Sequence, residues 1–246
     1  MSTSRPENPA HARITRVAPG IHFVEGPASN WVVLTDGDSV TLVDTGYPAD
    51  LAAVEHSLET CAPGARLTTV LITHGHSDHI GTLPELAKKY APRVLAAAEE
   101  IPNIRREELH QIGIGDILPR LAKPRYARWT LHAIRAGGLA PIEVREVEPV
   151  VPGIALTLSG HTVIPRLTPG HTPGHLIFAL PEANALITGD ALITAHPTVS
   201  TRGPQALGDI WHWDAPAARR VFAELAEETC DRLIILPGHG PSHFPA

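Results

Sequence analysis

The sequence has few of the residues on which several common classes of protein depend. Its 246 residues include two cysteines, Cys61 and Cys230, and neither belongs to a CxxC pair. This argues against a disulfide framework and against a cysteine-based zinc site. No apolar run approaches the ~18 residues that a membrane-spanning helix needs, and residues 1–20 contain no apolar signal core. We therefore expect a cytoplasmic protein with no membrane partner.

Positive charge is also scarce, because 20 lysines and arginines stand against 26 acidic residues, for a formal net charge of −6. A nucleic-acid surface is usually basic, so this balance argues against a nucleic-acid partner. Histidine, in contrast, occurs 15 times, more often than tyrosine, phenylalanine and tryptophan together. Because histidine is the commonest metal ligand and the usual base near neutral pH, the placement of these residues decides the interpretation.

The hydropathy pattern predicts a single α/β domain over residues 1–246. Short apolar and β-branched runs between turn residues predict strands, and helical periodicity that stops at proline or glycine predicts helices. The predicted strands are 21–25, 31–35, 40–44, 67–73, 93–97, 143–147, 154–158, 162–167, 176–180, 185–188 and 232–236. The predicted helices outside the insertion described next are 49–61, 82–90 and 215–228. Two sheets covered by outer helices would satisfy this order.

Two segments differ from the rest of this pattern. Residues 1–12 are polar and Pro-rich and are expected to form a loose tail. Residues 99–140 are predicted to be a helical insertion, with breaks at Gly113, Pro119 and Pro124. An insertion between two groups of strands is the part of the chain in which we look for specificity.

The sequence HGHSDH follows a predicted buried strand directly. Alternation by two places His74 and His76 on one side of an extended segment, and Asp78 and His79 follow at the turn into a helix. Imidazole and carboxylate are ligands that a borderline-soft dication such as Zn²⁺ takes. A solvated polar turn is the alternative, but three histidines and an aspartate at this spacing seldom arise by chance.

Three further candidate ligands each lie just beyond a predicted strand. His171 occupies the turn in TPGHTPGH, Asp190 follows a strand in TGDA, and His239 follows the last strand in LPGHG. Strand ends in layered α/β folds converge on one rim. We therefore expect these side chains to assemble with HGHSDH into one metal site.

Together these four motifs resemble those of the metallo-β-lactamase superfamily, in the order usual there, over about residues 20–241. The resemblance implies an αββα sandwich with two Zn²⁺ ions at one edge of the sheets, with iron or manganese as alternative metals. The implied ligands are, for one ion, His74, His76 and His171, for the other, Asp78, His79 and His239, and for both, Asp190.

The resemblance also implies a mechanism, in which a hydroxide that bridges the two ions attacks the substrate. Asp78 or Asp190 would hold the proton of that hydroxide and pass it to the leaving group. Asp44, in VDTG, matches an aspartate beside the metals, where it would fix the tautomer of a ligand histidine. An ordinary turn aspartate is the alternative for this residue.

The leading hypothesis for the reaction is hydrolysis of an ester, lactone or thioester of a small metabolite. Asp190 argues against a β-lactam target, because β-lactamases that resemble this sequence usually lack the bridging aspartate. Similar acyl-homoserine lactonases usually carry tyrosine three residues later, where this sequence has Ile193. An iron-dependent redox enzyme of the same fold and a non-catalytic metal-stabilised binding module are the alternatives.

The helical insertion is where we expect contacts with the substrate. Its stretch 118–138 contains five basic residues, no acid, and an interleaved tyrosine and tryptophan. One interpretation is a cap that offers cations to an anionic group of a small-molecule substrate. A solvated helix face or a homodimer contact is the alternative. The candidate substrate contacts in the cap and in the loop after the bridging aspartate are Arg125, Arg128, Trp129, Ile193 and His196.

Overall fold

A computed structural model describes residues 12–230 and 232–245, so the loose tail predicted for residues 1–12 lies, apart from residue 12, outside the described residues. The strands are β1 (Arg13–Ala18), β2 (Ile21–Glu25), β3 (Asn30–Asp36), β4 (Ser39–Val43), β5 (Arg66–Leu71), β6 (Arg93–Ala97), β7 (Glu148–Val150), β8 (Leu156–Leu158), β9 (His161–Leu167), β10 (Leu176–Leu180), β11 (Ala185–Gly189) and β12 (Ile234–Pro237). The helices are α1 (Leu51–Cys61), α2 (Leu83–Tyr90), α3 (Ile101–Ile104), α4 (Ile114–Ile117), α5 (Pro124–Arg135) and α6 (Ala215–Thr229). Within the same ranges, no helix combines the length and the hydropathy that a bilayer crossing requires.

The strands form two sheets, and in each sheet neighbouring strands are consecutive in the chain. The first contains β1 to β7 and the second contains β8 to β12. The first four strands pair antiparallel, and β4 to β7 then pair parallel. In the second sheet only β11 and β12 pair parallel, and α6 connects them. This mixed α/β architecture with two sheets confirms the predicted fold class.

Alternating side chains on the strands build the four layers. On β3, Val32 and Leu34 point into the apolar core between the sheets, where Phe178 of the second sheet also lies. Trp31 and Val33 point to the opposite face, into a core that they share with α1 and α2. The outer face of the second sheet packs against α6. The period of two therefore gives both sheets one face toward each other and one face toward a helix.

The strand prediction from the sequence was wrong for one segment and missed one strand. Residues 143–147 are not a strand, and pairing with β6 begins only at Glu148. Val144 and Val147 are nevertheless buried in the outer core, so their spacing reflects burial without strand pairing. The edge strand β1 was missed because its side chains are exposed or half-buried and show no alternation. The insertion 99–140 contains α3, α4 and α5, and α4 and α5 begin directly after Gly113 and at Pro124.

Candidate metal centre

Polar side chains that follow several strands meet at one edge of the two sheets. Asp44 follows β4, and HGHSDH follows its parallel neighbour β5. Asp190 and His239 follow β11 and its parallel neighbour β12, and His171 lies between β9 and β10. Because parallel neighbours end at the same edge of a sheet, each pair of motifs is delivered to one place. The structure thus brings together all seven of the candidate ligands.

Three buried histidines form one half of the cluster. His171 Nε2 lies 3.2 Å from His74 Nε2 and 3.1 Å from His76 Nδ1. All three side chains are almost completely buried. Their ligand atoms lie within 4.8 Å of one another, which is the spacing of a common metal ion rather than of three separately solvated rings.

The other half contains Asp78, His79 and His239, whose ligand atoms also lie within 4.8 Å of one another. Asp190 lies between the two halves. Its Oδ2 is 3.4 Å from His171 Nε2 and 3.2 Å from His239 Nε2, and its Oδ1 is 3.5 Å from His79 Nε2. A single carboxylate therefore reaches both groups of ligands.

Hydrogen bonds on the far side of each ring orient the histidines. His79 Nδ1 donates to Asp44 at 2.9 Å, His239 Nδ1 donates to a backbone carbonyl at 2.8 Å, and His76 Nε2 donates to the carbonyl of His110 at 2.6 Å. In a neutral imidazole the second nitrogen is then an acceptor. Each of these rings, once it is neutral, consequently directs a lone pair into the cluster, as a metal ligand does.

His212 was missed by the sequence interpretation and orients His171. His212 Nε2 lies 3.2 Å from the carbonyl of Leu207, to which it can only donate. His212 Nδ1 is then an acceptor for His171 Nδ1, which lies 3.2 Å away. This relay fixes the His171 tautomer with its Nε2 lone pair toward the cluster. The signal in the sequence was weak, because His212 lies between two tryptophans and follows no strand.

Asp44 contacts the cluster through His79, as the sequence suggested. Its carboxylate also accepts from the backbone N–H of Thr73 at 2.8 Å and from the Thr73 hydroxyl at 2.7 Å. The backbone of Asp44 adopts φ 61°, a left-handed conformation that costs energy for a residue with a Cβ. The strain and the three acceptor contacts show that the chain holds this carboxylate in one position behind His79.

His175 positions the backbone of Asp190. Its Nε2 accepts from the Asp190 N–H at 3.1 Å, and its Nδ1 lies 2.9 Å from the Thr168 hydroxyl. Burial lowers the pKa of His175 to about 3, so the ring is a neutral acceptor at working pH. The ring of His175 is not among the clustered ligand atoms.

The buried negative charges in the cluster favour the binding of cations. Burial opposes charge on His79, but the carboxylates of Asp78, Asp190 and Asp44 raise its pKa to about 9. Burial alone would raise the pKa of Asp78, yet His79 and His239 lower it to about 2. The neighbouring histidines also lower the pKa of Asp190 despite its burial, so Asp78 and Asp190 both remain ionised in a buried site, which is costly unless positive charge is bound there.

Two polar atoms support the same conclusion. His79 Nε2 and Asp190 Oδ1 are buried, face each other at 3.5 Å, and have no hydrogen-bond partner among the described residues. Gly238 lies beside them, and a Cβ at that position would overlap Asp190 Oδ1. Two buried polar atoms without a hydrogen-bond partner, beside a glycine that leaves them room, fit a site where a cation binds the carboxylate oxygen and displaces the proton of the imidazole. The residues present therefore fit a divalent metal site.

Glu100 connects the two loops that carry the histidines, and the sequence interpretation missed it. One carboxylate oxygen accepts from the backbone N–H of Gly75 at 2.8 Å, within HGHSDH. The other accepts from the Thr172 hydroxyl at 2.7 Å and from the Gly174 N–H at 2.9 Å, within TPGHTPGH. Glu100 is fully buried, and Asn103 Nδ2 donates to it as a fourth contact. This side chain therefore fixes the distance between the two loops.

A cavity of about 250 Å³ opens onto the metal cluster. Trp129 of α5 and His196 line it, as the sequence predicted for substrate contacts. Trp211 meets the Trp129 ring edge to face, with centroids 4.7 Å apart. Tyr47 also lines the cavity, although the sequence interpretation had not selected it.

The other three predicted substrate contacts do not line this cavity. Ile193 is fully buried and pairs through its backbone with Gln205. Arg128 is exposed, and Arg125 is exposed beside a separate cleft. The side of α5 that carries Thr130 and Ile134 lines the cavity instead, so the structure does not bring the two arginines to the metal cluster as predicted.

Replacing His212 with alanine is expected to weaken metal binding about tenfold, because His171 Nδ1 loses the acceptor that fixes its tautomer. The measurement is competition with a chromophoric zinc chelator. His56→Ala, at an exposed position on α1, is the control and should leave the affinity unchanged. Equal affinities for wild type and His212→Ala would show that the relay does not position His171.

Comparison with known proteins places the chain among metallo-hydrolases. A family model described as the metallo-beta-lactamase superfamily matches residues 24–239. The probable metallo-hydrolase YybB of Bacillus subtilis is 30% identical over 179 residues, which are 70% of this chain and 67% of that protein. A hydroxyacylglutathione hydrolase of Acidiphilium cryptum is 30% identical over 67% of this chain and 49% of its own length. The chain spans about two thirds or less of the length of the curated relatives it matches.

Solved structures show the same fold. A metallo-beta-lactamase family protein of Thermus thermophilus, TTHA1429, superposes with a TM-score of 0.65 over 94% of this chain and 76% of its own, at 23% identity. The protein TTHA1623, determined in a di-iron-bound form, superposes with a TM-score of 0.59 over 89% of this chain and 91% of its own, at 26% identity. Both similarities extend over most of the chain.

Proposed function

This chain belongs to the metallo-beta-lactamase superfamily, and from that membership we propose that it is a dinuclear zinc-dependent hydrolase of an ester, lactone or thioester bond in a small metabolite. The observation that carries the proposal is the position of Asp190. Its carboxylate lies 3.4 Å from His171 and 3.2 Å from His239, and so reaches both groups of ligands. A carboxylate in that position suits two ions better than one.

The relatives support a bond of this type. One is named a hydroxyacylglutathione hydrolase, and another, 26% identical over 76% of this chain and 44% of its own length, is named an atrochrysone carboxyl ACP thioesterase of Aspergillus novofumigatus. Both names describe hydrolysis of an acyl group from a carrier. We carry over this bond type, and not either carrier, to the protein described here.

Divalent ions held by the seven residues would supply Lewis acidity, which lowers the pKa of water and polarises a carbonyl group. The chain supplies the proton transfers. The Asp78 carboxylate lines the cavity and stays ionised at neutral pH, because His79 and His239 lower its pKa to about 2 despite its burial. It can accept a proton from the attacking water and release it to the leaving group.

Tyr47 adds a hydrogen-bond donor to the cavity wall. Burial raises the pKa of its phenol well above the ordinary value, and the charge of Asp78 raises it further. The hydroxyl therefore remains protonated over the whole working pH range and can donate to an oxygen on which negative charge develops. The residues of the insertion that line the same cavity limit access of bulk water to the cluster.

We expect the purified protein to bind about two metal equivalents per chain. We also expect it to hydrolyse at least one of three substrate classes, which are p-nitrophenyl esters, acyl thioesters and lactones. The test measures metal content by elemental analysis and initial rates over the three substrate classes. Dialysis against a chelator should abolish turnover, and zinc should restore it. One metal equivalent or none in fully loaded protein would contradict the dinuclear assignment.

Iron-dependent redox chemistry is the second candidate, because one of the matched structures was determined in a di-iron-bound form. Protein purified from unsupplemented medium distinguishes the two. Predominant zinc with esterase or thioesterase turnover supports hydrolysis. Predominant iron with a visible absorption band and no hydrolytic turnover would support redox chemistry instead.

A further inference from the structure

The cavity at the metal cluster has an apolar wall that comes from the helical insertion. Ile114 and Ile117 of α4, Leu118 in the turn that follows, Ile134 of α5 and Leu139 beyond it all line the cavity. Among the described residues that line it, none is lysine or arginine. An anionic group of a substrate would therefore meet no cationic side chain there, whereas a hydrocarbon chain would meet apolar surface.

Except for Ile117, which is buried, these apolar side chains are at least half exposed in the described part of the chain. The exposed fraction is 70% for Ile114, 63% for Leu118 and 65% for Leu139. The 12-residue helix α5 has no buried residue at all. A contiguous apolar surface left open on a protein marks an interaction site, and a concave one joined to a reactive cluster marks a ligand site. An apolar surface of this kind, concave and next to the metal cluster, fits a ligand that enters the cavity.

We propose that the insertion binds an uncharged, apolar acyl chain of the substrate, with the acyl carbonyl at the metal cluster. The acyl chain extends from the cluster along α4 and α5, and the edge-to-face pair of Trp129 and Trp211 forms the side wall. The cleavage of such a substrate rests on the hydrolytic function proposed above. The binding of the chain rests only on the cavity and can be tested apart from turnover.

Binding is expected to strengthen with chain length, by about fourfold for each methylene that leaves water. Straight-chain methyl ketones from hexanone to decanone serve as probes, because they present a carbonyl and a chain but cannot be hydrolysed. Affinities for the metal-loaded protein are measured by tryptophan fluorescence, to which Trp129 and Trp211 in the cavity wall contribute. In parallel, kcat/KM for p-nitrophenyl esters from acetate to decanoate should rise by a similar factor per methylene.

Two variants of α5 test the location. Ile134→Glu places a charge in the cavity and is expected to weaken decanone binding at least tenfold and to reduce the rise of kcat/KM with ester length. Leu131→Glu is the matched control, because Leu131 lies on the same helix with an exposed fraction of 48%, against 50% for Ile134, but does not line the cavity. Both positions are exposed enough to accept a glutamate without unfolding the helix.

Affinity that does not change with ketone length, or an equal loss in both variants, would overturn the proposal. So would an Ile134→Glu protein that changes its oligomeric state on size exclusion but keeps the chain-length dependence, because the apolar surface would then be a contact between copies of the chain. Length-dependent ketone binding without hydrolysis of any ester, thioester or lactone would refute the proposed function while supporting the acyl-chain site. Hydrolysis of these substrates without any dependence on chain length would support the proposed function and refute the acyl-chain site.

Discussion

Replacing Asp190 with asparagine is expected to reduce kcat/KM about a hundredfold or more and to leave fewer than two metal ions per chain. The reason is that one carboxylate approaches both groups of ligands, 3.4 Å from His171 and 3.2 Å from His239. Asparagine keeps the shape but has no charge. The N–H hydrogens of its amide group would point toward the positions that the cations should occupy.

The fold should survive this change, because the hydrogen bond from the backbone N–H of Asp190 to His175 Nε2 is unaltered. Elemental analysis, initial rates and the thermal unfolding midpoint are measured on the same preparation. Asp38→Asn is the matched control, since it removes the same charge from an exposed turn and should change none of the three. Two metal ions and near-wild-type turnover in Asp190→Asn would rule out a bridging role.

The candidate ligands could be predicted from the sequence because each lies next to a strand. A strand is recognised from a run of β-branched and apolar residues, as in Leu67–Ile72, and the polar residue at its end is then fixed in space by the sheet. Four separate motifs could in this way be assigned to one edge before any contact was known. The structure brings their seven side chains together.

The residues behind the ligands could not be found in this way. Glu100 reaches Gly75 and Thr172, which are 25 and 72 positions away in the chain, and His212 reaches His171 across 41 positions. Local periodicity carries no information about such pairs. Glu100 follows the strand β6, and a charged residue at that place was the one available signal.

The insertion shows a different limit. The five cations of its stretch 118–138 are visible in the sequence, but which side of α5 faces the metal cluster depends on packing against the rest of the protein. Arg125 and Arg128 are three positions apart and so lie close together on the helix, and Thr130 and Ile134, four apart, line the cavity on another side. Composition alone suggested contacts with an anionic substrate, whereas the side chains of the insertion that line the cavity are mostly apolar.

Replacing Glu100 with glutamine is expected to lower the free energy of unfolding by about 3 kcal/mol and the unfolding midpoint by about 6–12 °C. The carboxylate accepts four hydrogen bonds, two on each oxygen, from four donors. A glutamine has one acceptor oxygen, so its amide group must face two of these donors in a fully buried place. Leaving buried donors unsatisfied is the costly part of the change.

The same variant should also bind metal about tenfold more weakly, because Glu100 holds together the two loops that carry His74, His76 and His171. Glu99→Gln is the control, since it changes the neighbouring, exposed glutamate and should alter neither property. Calorimetric unfolding of metal-free and metal-loaded protein separates the two effects, because the loss in the metal-free state measures the hydrogen bonds alone. If the two variants unfolded at the same temperature, Glu100 would not be what joins the loops, and their spacing would have to come from the contact between the sheets.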